Sequence, residues 1–78
     1  MNQARHGGTA PELLIDAVRR ARAEFLEMPG LKLTAAQAAR LWSLDATLCG
    51  EVLTALVKSR FLEETPNSGF VRAEWLHR

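Results

Sequence analysis

Residues 34–58, TAAQAARLWSLDATLCGEVLTALVK, contain two amphipathic patterns separated by a short turn. Thr34 and Gln37 have the spacing of a capping box, in which the two side chains satisfy backbone donors at the start of a helix. Ser43 and Leu44 then form the turn, and Asp45 is a good N-cap for a second helix. The stretch therefore predicts two consecutive helices that meet at a tight corner.

The apolar residues of this stretch recur at helical spacing, which predicts one buried stripe on each helix. Ala39 offers a small surface where the second helix crosses the first. The predicted stripe of the first helix is Ala38, Leu41 and Trp42, and that of the second is Cys49, Val52, Leu53 and Leu56.

Size and composition predict one small globular domain. The chain has 78 residues, of which 47% are hydrophobic and 24% charged, and its formal net charge is +1. This near-neutral balance means that any contact with nucleic acid must depend on local positive patches. The single cysteine, Cys49, has no partner for an internal disulfide, so we expect a buried thiol and a cytoplasmic location.

The ends of the chain divide it into a flexible arm at residues 1–8 and a folded domain at 9–78. The arm is polar and carries Arg5 and His6, which leaves open whether it touches DNA or has no role. It lacks the apolar core of a signal peptide, and no run approaches the roughly 20 apolar residues of a membrane span. We therefore expect no membrane contact.

A further helix is expected from about Ala10 to about Leu26. Thr9 and Glu12 repeat the capping-box spacing, and Pro11 is tolerated in a first helical turn. Ile15 lies off the apolar stripe. That stripe consists of Leu14, Val18, Ala21 and Phe25, and it is widened by Leu13 and Ala17.

Three arginines on the other side of this helix form the densest positive patch of the chain. Arg19, Arg20 and Arg22 are close neighbours on a helical surface. They fit either a phosphate contact or a solvated face balanced by nearby acidic residues. Ile15 and Leu26 beside them also fit the edge of a dimer contact.

A small three-stranded sheet is expected from three short segments. Residues 28–30, Met-Pro-Gly, end the first helix, and residues 31–33 alternate as a strand does. Residues 61–65 and 70–73 flank the turn sequence PNSG at 66–69 and predict a hairpin. In the last strand we expect one set of side chains to face inward, namely Val71, Ala73 and Trp75, with Trp75 and Leu76 covering the core edge.

The resulting fold class is mainly α with a small β-sheet, in the order helix, strand, helix, helix, strand, strand. This order resembles the winged helix-turn-helix over residues 9–73, and residues 24–42 and 61–73 resemble small bacterial winged-helix proteins described as DNA-binding regulators of unknown target. Two positions depart from that resemblance, because Ser43 replaces the usual turn glycine and Arg60 stands where a glycine often precedes the hairpin.

The resemblance implies that the helix at residues 45–58 is a recognition helix lying in the major groove. Thr47 and Thr54 then bond to bases or phosphates, Glu51 accepts from cytosine, and Ala46 touches a thymine methyl. Gly50 costs a helix about 1 kcal/mol relative to alanine, which fits either a close approach to the backbone or simple tolerance. The remaining candidate DNA contacts are Arg40, Lys58 and Arg72, with Asn67 and Ser68 at the tip of the wing.

The sequence is compatible with two functions. The first is a homodimeric transcriptional regulator that binds double-stranded DNA, and the alternative is a winged-helix module that binds another protein. An enzyme is not expected, because His6 and His77 lie at opposite ends and Cys49 has no histidine near it in sequence. No metal-ligand spacing or phosphate-binding loop predicts a cofactor.

Overall fold

The computed structural model describes the backbone of residues 11–76 and the side chains of residues 11–74. The predicted arm at 1–8, the Thr9 cap and the predicted packing of Trp75 and Leu76 lie outside these limits. The elements in chain order are α1 (Pro11–Glu27), β1 (Leu33–Thr34), α2 (Ala35–Trp42), α3 (Ala46–Lys58), β2 (Leu62–Glu64), β3 (Gly69–Arg72) and α4 (Ala73–Leu76).

Helix α1 begins and ends one residue later than predicted. Pro11 is its first residue, a position at which the missing amide donor costs little. The predicted stripe is confirmed, with Ala21 and Phe25 fully buried and Leu14 and Val18 packed at its edge. The prediction for Leu13 was wrong: its side chain is 59% exposed. Successive helical residues are about 100° apart, so Leu13 projects away from the line of Leu14, Ala21 and Phe25.

Helices α2 and α3 supply most of the remaining core. The inward stripe of α3 is confirmed, since none of Cys49, Val52, Leu53 and Leu56 is more than 2% exposed. From α2, Trp42 meets Phe25 of α1 edge to face, with ring centroids 6.2 Å apart. Leu41 was wrongly predicted to be in the buried stripe, because it is 54% exposed beside the inward-facing Trp42.

The sheet has the order β1-β3-β2, and both pairings are antiparallel. Strand β1 is shorter and later than predicted, since it contains only Leu33 and Thr34. Leu33 is buried, whereas the exposed Lys32 lays its aliphatic stem beside Gly69 of the neighbouring strand. A Cβ at Gly69 would lie 2.7 Å from Lys32 Cε, so the glycine allows this close packing.

The predicted orientation of the last strand was wrong. Phe70 lies opposite Leu33 across the sheet, and such partners share a face, so Phe70 packs against the core with Leu33. Val71 therefore lies on the other face. Ala73, predicted as the end of the strand, instead begins the single helical turn α4, which the sequence did not predict.

The described residues thus form a mainly helical structure with a small three-stranded antiparallel sheet. This element order is compatible with a winged helix. Of the helices that the structure describes, none combines the length and the apolar character needed to cross a membrane.

Candidate nucleic-acid interface

The first turns of α2 and α3 are capped by local hydrogen bonds of the predicted type. Thr34 Oγ1 accepts from Gln37 N at 3.1 Å, and Gln37 Oε1 accepts from Thr34 N at 2.9 Å, which completes the capping box. Asp45 Oδ1 accepts from Leu48 N at 2.7 Å and so caps α3. These bonds fix where each helix starts and therefore which face α3 presents outward.

Helix α2 ends in a Schellman motif whose left-handed residue is Ser43, with φ 57°. Leu44 N donates to Ala39 O at 2.9 Å, and Ser43 N donates to Arg40 O at 3.3 Å. Across the corner, Cys49 Sγ lies 3.6 Å from Ala35 O and donates to it. Ser43, which stands in place of the usual turn glycine, therefore adopts the left-handed conformation that glycine takes most readily.

Helix α3 ends in the same way, with Arg60 at φ 67° in the left-handed position. Phe61 N donates to Leu56 O at 3.0 Å, and Arg60 N donates to Val57 O at 2.9 Å. Arg60 therefore adopts the conformation that glycine takes most readily, and it turns the chain directly from α3 into the hairpin. As a result, the exposed Arg60 side chain lies next to the C-terminal end of α3.

The outward surface of α3 gathers most of the predicted recognition residues. Ala46, Thr47 and Thr54 are exposed, whereas Gly50 and Glu51 are half-buried. Together they line a shallow concave surface that also includes Ala55 and Lys58. We call this set the α3 outer face; its residues are Ala46, Thr47, Gly50, Glu51, Thr54, Ala55 and Lys58.

Packing among the described residues does not require a glycine at position 50. A Cβ at this position would contact no described residue outside its own helix within 4 Å, and the glycine does not have a positive φ. The absence of a side chain leaves room for another molecule close to the α3 backbone.

The predicted positive contacts divide into free and engaged side chains. Arg40 in the last turn of α2 and Lys58 in the last turn of α3 are exposed. Arg72, in contrast, has a side chain only 15% exposed, and its guanidinium pairs with Glu74. It also lies over the Phe61 ring at 4.6 Å from the centroid, so it is packed against its own chain instead of being available to a phosphate.

The Phe61 ring is a contact point for two arginine side chains, and this was not predicted from the sequence. Arg22 of α1 lies 5.0 Å from its ring centroid, so two arginines from different elements contact this ring. The buried Nε of Arg72 has no hydrogen-bond partner in the described residues, which fits a side chain held by stacking. No spacing in the sequence links Arg22, Phe61 and Arg72, because the fold alone brings them together.

The tip of the hairpin exposes Asn67 and Ser68, as predicted. Thr65 Oγ1 accepts from Gly69 N at 3.1 Å, and Thr65 O accepts from Ser68 N at 2.9 Å. Ser68 has a φ of 64°, in the left-handed region. The turn is therefore fully formed by bonds within the chain, and its two tip side chains remain available to a partner.

A second groove adjoins the α3 outer face. It runs between α1 and α3 and shares Ala55 with that face. Its other lining residues come from α1 and combine an apolar floor with a basic rim: Leu14, Ile15, Val18, Arg19 and Arg22. These residues are recognisable separately in the sequence, but the groove that they form with Ala55 is not.

Among the described residues, one titratable group is a buried cysteine, and the others form no metal site. Burial raises the pKa of the Cys49 thiol above its usual value of 9.0, so this side chain stays protonated inside the core. Among residues 11–76, no three His, Cys, Asp or Glu side chains are grouped so that they could hold a metal ion.

Comparison with known proteins adds no family assignment. Neither a protein-family model nor a curated protein nor a solved structure matches the chain. The function is therefore argued from the geometry of the α3 outer face and its surroundings.

Proposed function

We propose that this chain is a winged helix-turn-helix domain that binds double-stranded DNA, with α3 as recognition helix and the β2–β3 hairpin as wing. The observation that supports this most directly is the α3 outer face. It is open to solvent on a helix that is anchored by four buried side chains on its other side. A helix held in this way can enter the major groove, whose width matches it.

The side chains of the α3 outer face suit base edges better than phosphates. Thr47 and Thr54 can donate to or accept from bases, and Glu51 can accept from the amino group of cytosine. The open space at Gly50 allows the backbone of α3 to approach the floor of the groove. These side chains predict a preference for DNA sites in which α3 meets cytosine or thymine. They do not predict a preference for guanine, which is most often recognised by arginine.

Phosphate contacts in this proposal come from cations around α3. Arg40, Lys58 and Arg60 are exposed in the last turn of α2, in the last turn of α3 and directly after α3. Arg72 is not included, because its guanidinium is engaged by Phe61 and Glu74. With about three phosphate contacts per chain, affinity should fall by about 40-fold between 50 and 200 mM salt.

The test is a fluorescence anisotropy titration of mixed-sequence duplex DNA at several salt concentrations. Arg40→Gln and Lys58→Gln should each lower the slope of log affinity against log salt by about 1. Arg20→Gln on α1 is the matched control, since it removes an equal charge away from α3, and it should leave the slope unchanged. Absence of binding at 50 mM salt, or a slope that Lys58→Gln does not change, would overturn the proposal.

A protein-binding module is the second candidate, and the charges of the α3 outer face favour it. Lys58 is the only cation among the seven lining residues, and Glu51 is an anion there. Small residues at 46, 50 and 55 would also allow another helix to pack closely. A protein partner held by apolar contact would show little dependence on salt, so the same titration series separates the two functions.

A further inference from the structure

Over residues 12–22 of helix α1 the acidic side chains precede the basic ones, and Glu24 and Glu27 follow in the last turns. Glu12 and Asp16 lie in the first turns, and Arg19 and Arg22 follow in the next turns; all four are exposed. None of the four has an ion-pair partner among the residues that the structure describes, although Asp16 and Arg19 are close in sequence. Residues 12–22 therefore present an acidic segment and a basic segment that no described residue neutralises through an ion pair.

Exposed apolar surface lies beside these charges. Ile15 is 56% exposed and lines the α1–α3 groove with the half-buried Leu14 and Val18 and with Ala55 of α3. Exposed apolar surface bordered by charge is typical of an interaction site. Contact with a second molecule would remove Ile15 from water without any rearrangement of the core.

The spacing of these residues defines a seam along α1. Glu12, Ile15, Arg19 and Arg22 follow one another at intervals of three, four and three residues, so they form one stripe on the helix. A stripe with this repeat is the surface by which two helices pack along their lengths. The Arg22 guanidinium lies over the Phe61 ring of its own chain. This packing limits the conformational freedom of the Arg22 side chain before a second molecule binds to the seam.

We propose that α1 packs antiparallel against α1 of a second copy of this chain, about a two-fold axis that crosses the seam midway between Ile15 and Arg19. In this arrangement Glu12 faces Arg22 of the second copy, and Ile15 faces the aliphatic stem of Arg19 of the second copy. Asp16 lies beside the same Arg19. Symmetry repeats each contact, so the acidic segment of each helix lies on the basic segment of the other.

Charge complementarity selects this occupant and this direction. A parallel pair would place Arg19 against Arg19 and Arg22 against Arg22, which is repulsive. The antiparallel pair opposes unlike charges at both ends of the seam and leaves Ile15 covered at its centre. The residues of the seam all belong to α1, so the proposal does not rest on DNA binding by α3.

The test exchanges charges across the seam and measures association by sedimentation velocity of the full chain from about 1 µM to 1 mM. In a dimer of the Glu12→Arg variant, the two side chains that meet at each end of the seam are both basic. In a dimer of the Arg22→Glu variant, they are both acidic. Each variant alone should dissociate about 10-fold more readily than the unsubstituted chain. Mixed in equal amounts, the two variants should form a heterodimer of nearly the original stability, because each end of the mixed seam again opposes a basic and an acidic side chain.

Arg20→Glu is the matched control, since it makes the same charge change on α1 outside the seam and should not alter association. Circular dichroism checks that every variant keeps its helical content. The proposal is overturned if the unsubstituted chain stays monomeric over the whole concentration range. It is also overturned if neither seam variant weakens the dimer, if the control weakens it equally, or if the mixture fails to restore it.

Discussion

The two faces of α3 differ in both burial and chemistry. The inner face consists of Cys49, Val52, Leu53 and Leu56, of which none is more than 2% exposed. The α3 outer face carries small and polar side chains, and a Cβ at its Gly50 would contact no described residue beyond its own helix within 4 Å. One helix thus separates the residues that hold the fold from those available to a partner. Substitutions on the two faces should therefore have different consequences.

Leu53→Ala should have the largest effect on stability. Leu53 is 2% exposed, and truncation would leave a cavity in the core, so the free energy of unfolding should fall by about 2–5 kcal/mol. Urea denaturation followed by circular dichroism measures this change. The adjacent Thr54→Ala is the matched control on the outer face, where the change should stay within about 0.5 kcal/mol. Equal losses at 53 and 54 would contradict the division of the helix into two faces.

Asp45→Ala tests the N-cap of α3, the helix that carries both faces. The Asp45 carboxylate accepts from Leu48 N at 2.7 Å, and its loss should lower the free energy of unfolding by about 1 kcal/mol. Asp45→Asn keeps an acceptor at the same place and should retain most of the stability. If the two substitutions cost the same, the carboxylate is not acting as a cap.

Gly50→Ala should change stability and binding in opposite directions. A methyl group at this position meets nothing within 4 Å, and alanine favours the helix by up to about 1 kcal/mol, so the melting temperature should rise. The same methyl occupies the space through which we propose that α3 approaches DNA, so duplex affinity should fall. A more stable variant with unchanged affinity for DNA would show that the open space at Gly50 is not used in binding.

The sequence was sufficient to predict the features of α3 that depend on neighbouring residues. The caps at Thr34 and Asp45 and the inner stripe of α3 follow from spacings within one helix, and the structure confirms them. The left-handed conformation of Ser43 was implied by the resemblance to helix-turn-helix proteins, which usually have a glycine at this turn position. The α3 outer face follows from the same periodicity, being the part of the helix that the stripe excludes.

Features that depend on contacts between distant segments were not predictable. Phe70 faces inward because Leu33, in a strand far along the chain, pairs with it. An alternating strand pattern allows both orientations, and here the wrong one was predicted. The packing of Arg72 on Phe61 removes a candidate DNA contact in the same way. Neither outcome can be deduced from spacing, because each depends on how separate elements meet.

Cys49 on the inner face gives the smallest predicted effect, a loss of stability at alkaline pH. Burial raises the pKa of its thiol in the folded state, so above pH 9.0 the unfolded chain loses this proton while the folded chain keeps it. Stability due to this group is therefore complete below pH 9.0 and declines as the pH rises further, by less than about 1 kcal/mol at about pH 9.5.

Cys49→Ala should abolish this dependence, whatever its cost in packing. The chain contains no tyrosine that would titrate in the same range, which makes the comparison simpler. Urea midpoints measured between about pH 7 and about pH 9.5 for both proteins provide the test. If the two proteins lost stability in parallel above pH 9.0, the thiol would not be the group responsible, and the inner face would be more accessible to water than its burial indicates.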